Sequence, residues 1–291
     1  MSDLAAPVHE ADVKPHEAVD LEALARLPMA ETIPDNILAA GLATPPFVSL
    51  PGSLNLRDLG LLPRSRIKPG LVYRSGSLHN IPPSAFARLR DELGIKSVFD
   101  LRHRGERQRF PEPGIEGVDM VWLESTTPVR HVNPSDYVAG GGIPGFVADY
   151  IEILKLFAPR YRQILERLRD RPGEGVLWHC TAGKDRAGVM AILLHGLVEH
   201  DVDLIGYDYS LTRIGVEPER EMLTAVLKNW LGDDAMRQPG IINLGSTNPG
   251  IAAAFVSVVQ EEYGNFWNYC RQEMGLTEDD LKQVVRNIKR E

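Results

Sequence analysis

The residues best placed to do chemistry lie in Val176-Leu-Trp-His-Cys-Thr-Ala-Gly-Lys-Asp-Arg-Ala-Gly188, where five residues separate Cys180 from Arg186. The segment leads from a short apolar run into a helical, apolar pattern, so it reads as a strand–loop–helix junction. A loop at a helix N-terminus turns several backbone N–H groups inward and makes an anion cradle. Gly183 lets the backbone approach closely because it has no Cβ. Arg186, on the first helical turn, offers a planar fork to two phosphate oxygens. The same positive field is expected to hold Cys180 as a thiolate, which at the floor of a phosphate cradle is a nucleophile aimed at phosphorus. His179, on the wall of the loop, is expected to bond backbone and stiffen it. Lys184 adds a second positive charge at the rim. The leaving oxygen needs a proton, and Asp185 within the loop is the nearest general acid. Asp100, at the end of a strand-like IKSVFDL run, is the alternative.

A lone Cys is most often a small buried hydrophobe and a lone Arg a surface charge. Strand, His-Cys, five residues, Arg, Gly and apolar helix together are far rarer by chance. Other chemistries compete. A sulfurtransferase also uses a loop cysteine ringed by amides, but the His-Cys context and the place of Arg186 favour phosphate. A binding or scaffold protein would keep the cradle and turn over little. Zinc at His179/Cys180 is disfavoured, because adjacent residues and two cysteines in all cannot supply a normal ligand set.

The elements that must hold this loop follow from the flanking patterns. Leu71–Arg74 reads as a strand after the Lys68-Pro69-Gly70 turn. Pro82-Pro83-Ser84 opens a helix through Leu93, closed by Gly94. Ile95–Leu101 reads as a buried strand, and Val118–Leu123 as another. Glu124–Gly145 is a long turn-rich connection with three successive glycines, and its length makes it a candidate wall or lid over the pocket. Phe146, Tyr150, Ile153, Leu154 and Phe157 mark one helix. Tyr161, Ile164, Leu165 and Leu168 mark a second after Pro159. From Asp203 the chain reads as helices, the last opened by Thr277 and Asp280 as a capping pair. Residues 1–44 read as an N-terminal arm, with Leu21, Leu24, Ala25 and Met29 as a short amphipathic helix, ahead of a domain at 45–291. The alternation predicts an α/β fold, a central sheet flanked by helices with a helical C-terminal part.

The 291 residues suffice for a sizeable core, and 43% hydrophobic with 25% charged residues is ordinary for a globular protein. A net charge of −8 argues against a nucleic-acid binder but not against an anionic substrate in a local basic pocket. The cluster Arg102, Arg104, Arg107 and Arg109 could attract such a substrate. Two cysteines fit a reducing compartment. No segment reaches the roughly 20 apolar residues of a membrane span, so a cytoplasmic protein with no stable membrane insertion is expected.

These residues together resemble the cysteine-dependent protein tyrosine phosphatase superfamily. More narrowly, the sequence is similar to its microbial tyrosine–serine branch, whose loop reads His-Cys-x-Ala-Gly-Lys-Asp-Arg-Thr-Gly. Here the loop is His179-Cys180-Thr181-Ala182-Gly183-Lys184-Asp185-Arg186-Ala187-Gly188. Asn55-Leu56-Arg57-Asp58-Leu59-Gly60, Tyr73-Arg74-Ser75-Gly76-Ser77-Leu78, and Asp100-Leu101-Arg102 with Glu106 match further motifs of the branch in order. The ending, Glu262-Tyr263-Gly264 to Gly275-Leu276-Thr277, fits as well, so the resemblance covers about residues 47–290. It implies a protein tyrosine phosphatase-like fold and attack by Cys180, a phosphocysteine intermediate, then water. It also implies Asp185 as acid and neither metal nor cofactor. Thr181, Ala182, Gly183, Lys184, Ala187 and Gly188 would line the phosphate site. Arg57, Asp58 and Arg74 would brace the loop through ion pairs. The implied substrates are phosphoproteins, phosphoinositides or small phosphate esters. One departure stands out: Ala187 replaces the hydroxyl residue that follows the arginine, which predicts slower breakdown of the phosphocysteine.

Overall fold

The computed structural model describes residues 19–125 and 132–290. Five strands form one sheet in the order β1-β2-β5-β3-β4: β1 (Arg57–Asp58), β2 (Val72–Ser75), β3 (Ile95–Asp100), β4 (Asp119–Trp122) and β5 (Gly175–His179). Only β1 runs antiparallel to its neighbour; β2, β5, β3 and β4 are parallel. The helices are α1 (Leu21–Ala25), α2 (Asp35–Leu42), α3 (Arg104–Arg109), α4 (Ile143–Asp170), α5 (Arg186–Leu197) and α6 (Val202–Ser210). They continue as α7 (Thr212–Gly215), α8 (Arg220–Leu231), α9 (Ile241–Leu244), α10 (Pro249–Tyr263), α11 (Phe266–Met274) and α12 (Glu278–Ile288). The α/β sheet flanked by helices is the architecture the sequence predicts.

Successive side chains of a strand point to opposite faces. Val72, Phe99, Val176 and Trp178 accordingly pack into a large core under α4, α5 and α10–α12. Tyr73, Val98 and Leu177 pack into a smaller one against Leu78, Ile81 and Leu89. Central β5 thus feeds its C-terminal end straight into the loop at residues 180–185. Ser75 and Asp100 stand in register with His179 on either side. This is the carboxyl edge of a parallel sheet, where such folds form their sites.

Three expectations change. The break at Pro159 is absent: α4 runs unbroken for 28 residues, with Tyr150, Ile153, Leu154, Phe157, Tyr161, Ile164, Leu165 and Leu168 buried along it. An interior proline costs roughly 3 kcal/mol, and burying eight such side chains outweighs that several times over. The predicted helix from Pro82 to Leu93 forms without a break over residues 83–92, but its winding changes from 3-10 at Pro83–Ala85 to π-helical at Arg88–Glu92. The 124–145 connection is more than a bare loop: 3-10 turns span Pro134–Tyr137 and Ala139–Gly142, and Tyr137 is fully buried. Its residues 126–131 lie outside the described residues, as do 1–18 of the N-terminal arm. Along 19–44, Leu21, Ala25 and Ile33 pack into the large core. Arg213 donates to the carbonyls of Leu27 and Glu31, which ties this stretch to α7. Met29 falls beyond α1.

Candidate active site

The loop is shaped from outside by donors on four of its carbonyls. Ser77 N–H bonds Thr181 O at 3.0 Å, and Asn55 Nδ2 bonds Ala182 O at 3.0 Å. Arg74 Nη2 bonds Gly183 O at 2.7 Å and reaches Lys184 O at 3.4 Å. In a trans peptide the C=O and the following N–H point in opposite directions. Carbonyls 181–184 held outward therefore turn the N–H groups of residues 182–185 toward the loop interior. Gly183 has φ +72, and a Cβ there would sit 2.5 Å from the Ser75 carbonyl. Only glycine fits that approach.

Cys180 is a buried free thiol between these amides and the first turn of α5. Trp178 Nε1 and Tyr161 Oη pin that turn by donating to Ala187 O at 3.0 Å and Arg186 O at 2.7 Å. Arg186 is aimed by Glu106: Nη1 and Nη2 donate to the two carboxylate oxygens at 2.6 Å each, and Nη1 also bonds Leu101 O. Among the described residues this engages three of the five guanidinium donors. Nε–H and the second Nη2–H remain, adjacent on one edge, a fork for two oxygens. Burial alone would raise the Glu106 carboxyl. Arg186 outweighs it, with Thr181 Oγ1 and His103 N–H also donating, and holds Glu106 far below the usual carboxylate range.

Asp185 precedes α5 but makes no capping bond. Instead Tyr150 Oη donates to its Oδ1 at 2.8 Å. Tyr150 and Tyr209 hydroxyls lie 2.6 Å apart. Because the Tyr150 proton goes to Asp185, Tyr209 is the donor in that contact. Burial pushes both phenols well above their ordinary value, so they stay neutral donors. The Asp185 side chain remains 40% exposed, open to an incoming ester.

Lys184 departs from its expected place at the rim. It is buried, donates from Nζ to Leu244 O at 2.9 Å, and lies 4.4 Å from the centre of the Phe146 ring. Asp58 also departs: among the described residues it makes no close ion pair with an arginine, and it accepts from Gly60 and Gly70 N–H at 2.8 and 2.7 Å. The partner of Arg57 and Arg74 is Asp208, at 3.0 and 2.6 Å. Nothing local in the sequence marks Asp208, which lies 151 and 134 residues away. Gly188 packs 3.0 Å from Arg74, measured from the Cβ it lacks.

Asp100 is committed to an ion pair. Arg102 clasps it through Nε and Nη2 at 2.9 and 2.8 Å, and despite burial these bonds hold it below its ordinary value. His179 Nδ1 approaches its neighbour's carbonyl, Cys180 O, at 3.3 Å, in line with a stiffening role. Its Nε2 lies 3.1 Å from Glu112 Oε1, a charge contact rather than an aligned hydrogen bond. Burial opposes a charge on this ring, but Glu112 and Asp100 prevail and hold the imidazole above its ordinary value. Asp100, Glu112 and His179 are spaced as metal ligands would be. The Arg102 guanidinium, bonded to both carboxylates, already supplies the cation there. The other arginines of that cluster are likewise engaged: Arg104 with Glu124, Arg107 over Trp122, Arg109 over Phe110.

A loop whose carbonyls are held outward, with Cys180 at its start and the Arg186 fork at its end, has the parts of a phosphatase that works through sulfur. The chain belongs to the tyrosine phosphatase family, whose sequence profile matches residues 48–289. It is 25% identical to the triple specificity protein phosphatase PtpB of Mycobacterium tuberculosis over 255 residues, 76% of this chain and 92% of that one. It is 23% identical to a tyrosine-protein phosphatase of Nostoc commune over 247 residues, 74% of this chain and 79% of that one. Among solved structures it is similar to the catalytic core of the PP-IP phosphatase Siw14 of S. cerevisiae, at 16% identity and a TM-score of 0.32, over 63% of this chain and 98% of that one. The protein is a cysteine-dependent phosphatase. No helix among the described residues is long and apolar enough to cross a membrane.

Proposed function

We propose that Cys180, Arg186 and Asp185 carry the reaction, and that the substrates are phosphate monoesters borne by proteins, with phosphoinositides and small phosphate esters as further candidates. The observation that carries this reading is the set of four outward-held carbonyls, with the Arg186 fork beside them. Inward N–H groups and the fork bind the three non-bridging phosphate oxygens and the charge that develops on them. Cys180 Sγ attacks phosphorus, an S–P bond forms, and the P–O bond to the ester oxygen breaks. Asp185 gives its proton to that oxygen from Oδ2, while Tyr150 holds Oδ1. Water then attacks phosphorus, Asp185 takes its proton, the S–P bond breaks and inorganic phosphate leaves. Thr181, Ala182, Gly183, Lys184, Ala187 and Gly188 form the walls, and Arg57, Arg74 and His179 stiffen them. The name of the Mycobacterium tuberculosis relative, a triple specificity protein phosphatase, supports a protein substrate. Two unpaired cysteines support a reducing, cytoplasmic setting.

The test is rapid-mix hydrolysis of para-nitrophenyl phosphate with no metal added, with Cys180→Ser as control. Turnover that depends on Cys180 is the expected result. A folded wild type that binds vanadate but releases no product would overturn it in favour of a phosphate-binding scaffold.

A further inference from the structure

We propose that His195, fixed as its Nε2–H tautomer by His200, is a positioning residue for the phosphate loop, acting through Asp208 on Arg74. The inference rests on the reading of residues 180–186 as that loop. It follows from counting protons along a buried chain. The backbone N–H of Arg66 donates to His200 Nε2 at 2.7 Å, so that nitrogen carries no proton. A neutral imidazole has one N–H, which must then be on His200 Nδ1. His200 Nδ1 lies 2.6 Å from His195 Nδ1, so His195 Nδ1 accepts. The single proton of His195 is left on Nε2. That nitrogen is buried, has no aligned hydrogen-bond partner among the described residues, and lies 3.5 Å from Asp208 Oδ2. A second proton on either ring would break one of the two bonds that order the pair. Burial keeps His200 uncharged, with help from Arg66.

Beyond Asp208 the chain reaches the catalytic loop. Asp208 Oδ1 takes Arg57 Nε at 3.0 Å, and Oδ2 takes Arg74 Nη1 at 2.6 Å. Arg74 Nη2 then holds the Gly183 carbonyl outward at 2.7 Å. Arg57, Arg74 and His195 are fully buried, and Asp208 is nearly so. At this depth a polar chain is costly unless every member is satisfied. Two apolar residues at 195 and 200 would fill the same space without that demand. What they could not supply is the partial positive charge of a ring N–H 3.5 Å from Asp208 Oδ2. That positive edge favours Oδ2 staying beside Arg74, and with it the outward carbonyl and inward amide of the loop.

The tautomers are read by long-range 1H–15N NMR, where His195 should show a protonated Nε2 and His200 a protonated Nδ1. Kinetics then compare His195→Leu, which removes the donor, with His195→Gln, whose amide N–H takes the place of Nε2–H. His195→Leu should lose roughly tenfold in kcat/KM and in vanadate affinity, and His195→Gln should recover most of both, with both variants folded by circular dichroism. The proposal is overturned by a protonated His195 Nδ1, by wild-type kinetics in His195→Leu, or by equal impairment of both variants. A wild type that neither hydrolyses ester nor binds vanadate would instead sink the reading of the loop itself, and with it this role. Hydrolysis by the wild type with unaffected variants would sink this role alone.

Discussion

Ala187 stands on the first turn of α5, fully buried, where similar loops carry a hydroxyl residue. In the reaction proposed above, the departing sulfur of Cys180 would therefore lack one donor when water attacks the phosphocysteine. Ala187→Ser and Ala187→Thr should each raise steady-state turnover of para-nitrophenyl phosphate severalfold and shrink the pre-steady-state burst. Unchanged kinetics in two folded variants would show that the missing hydroxyl does not limit the second step. Glu106 is the opposite case, a residue visible in the sequence only as a member of a short motif. Eighty residues separate it from Arg186, and no local pattern links the two. Glu106→Gln keeps the shape and removes the charge that aims the guanidinium. A misplaced catalytic group costs on the order of 100-fold, so kcat/KM should fall roughly 10- to 100-fold, mainly through KM for the ester. A variant as active as the wild type would mean Arg186 is aimed by other contacts.

Strands are the elements most legible in the sequence, because short apolar, β-branched runs bounded by turns are local signals. Ile95–Asp100 and Gly175–His179 lie where the patterns put them. The α4 break was misread because proline is also a local signal, whereas the packing that overrides it comes from elements far along the chain. The loop itself obeys both levels: its glycine is required by its own φ and by a neighbouring strand. Gly183 and Gly94 separate those causes, with φ +72 and +66. A Cβ on Gly183 meets the Ser75 backbone at 2.5 Å, and one on Gly94 meets nothing within 4 Å. Gly94→Ala should cost about 1–2 kcal/mol of unfolding free energy, the left-handed penalty alone, and leave activity intact. Gly183→Ala should lose more stability and nearly all activity, because the β2 backbone cannot yield without moving Arg74. Equal urea midpoints for the two variants would remove the strand contact from the argument.

Over the whole molecule, the least legible feature is the buried charge network, since Arg57, Arg74, Asp208, His195 and His200 meet only in three dimensions. It gives the fold a pH signature. Burial, with the Arg66 guanidinium nearby, depresses His200 from 6.5 to about 3, against the opposing pull of Asp201 and Asp208. Unfolded, the ring takes a proton near pH 6.5; folded, it does not until near pH 3. Its stabilising contribution is therefore complete above pH 6.5 and is lost as pH falls toward 3. His79, also depressed, acts in the same direction. His179 is raised, so its contribution is complete below its unfolded value and is lost as pH climbs through the folded one. Glu106 and Asp208, held low, keep their full contribution above their ordinary values of 4.5 and 3.8 and drop out of the range between. Stability should then peak near the ordinary histidine value of 6.5. Replacing His200 with Gln should flatten the acid side between about pH 5 and 6.5 by about one proton, the count set by linkage. It should leave the alkaline side, which belongs to His179, unchanged. Urea unfolding of both proteins across that range measures the two slopes, and an acid limb equally steep in His200→Gln would mean that His200 does not stay neutral in the folded chain.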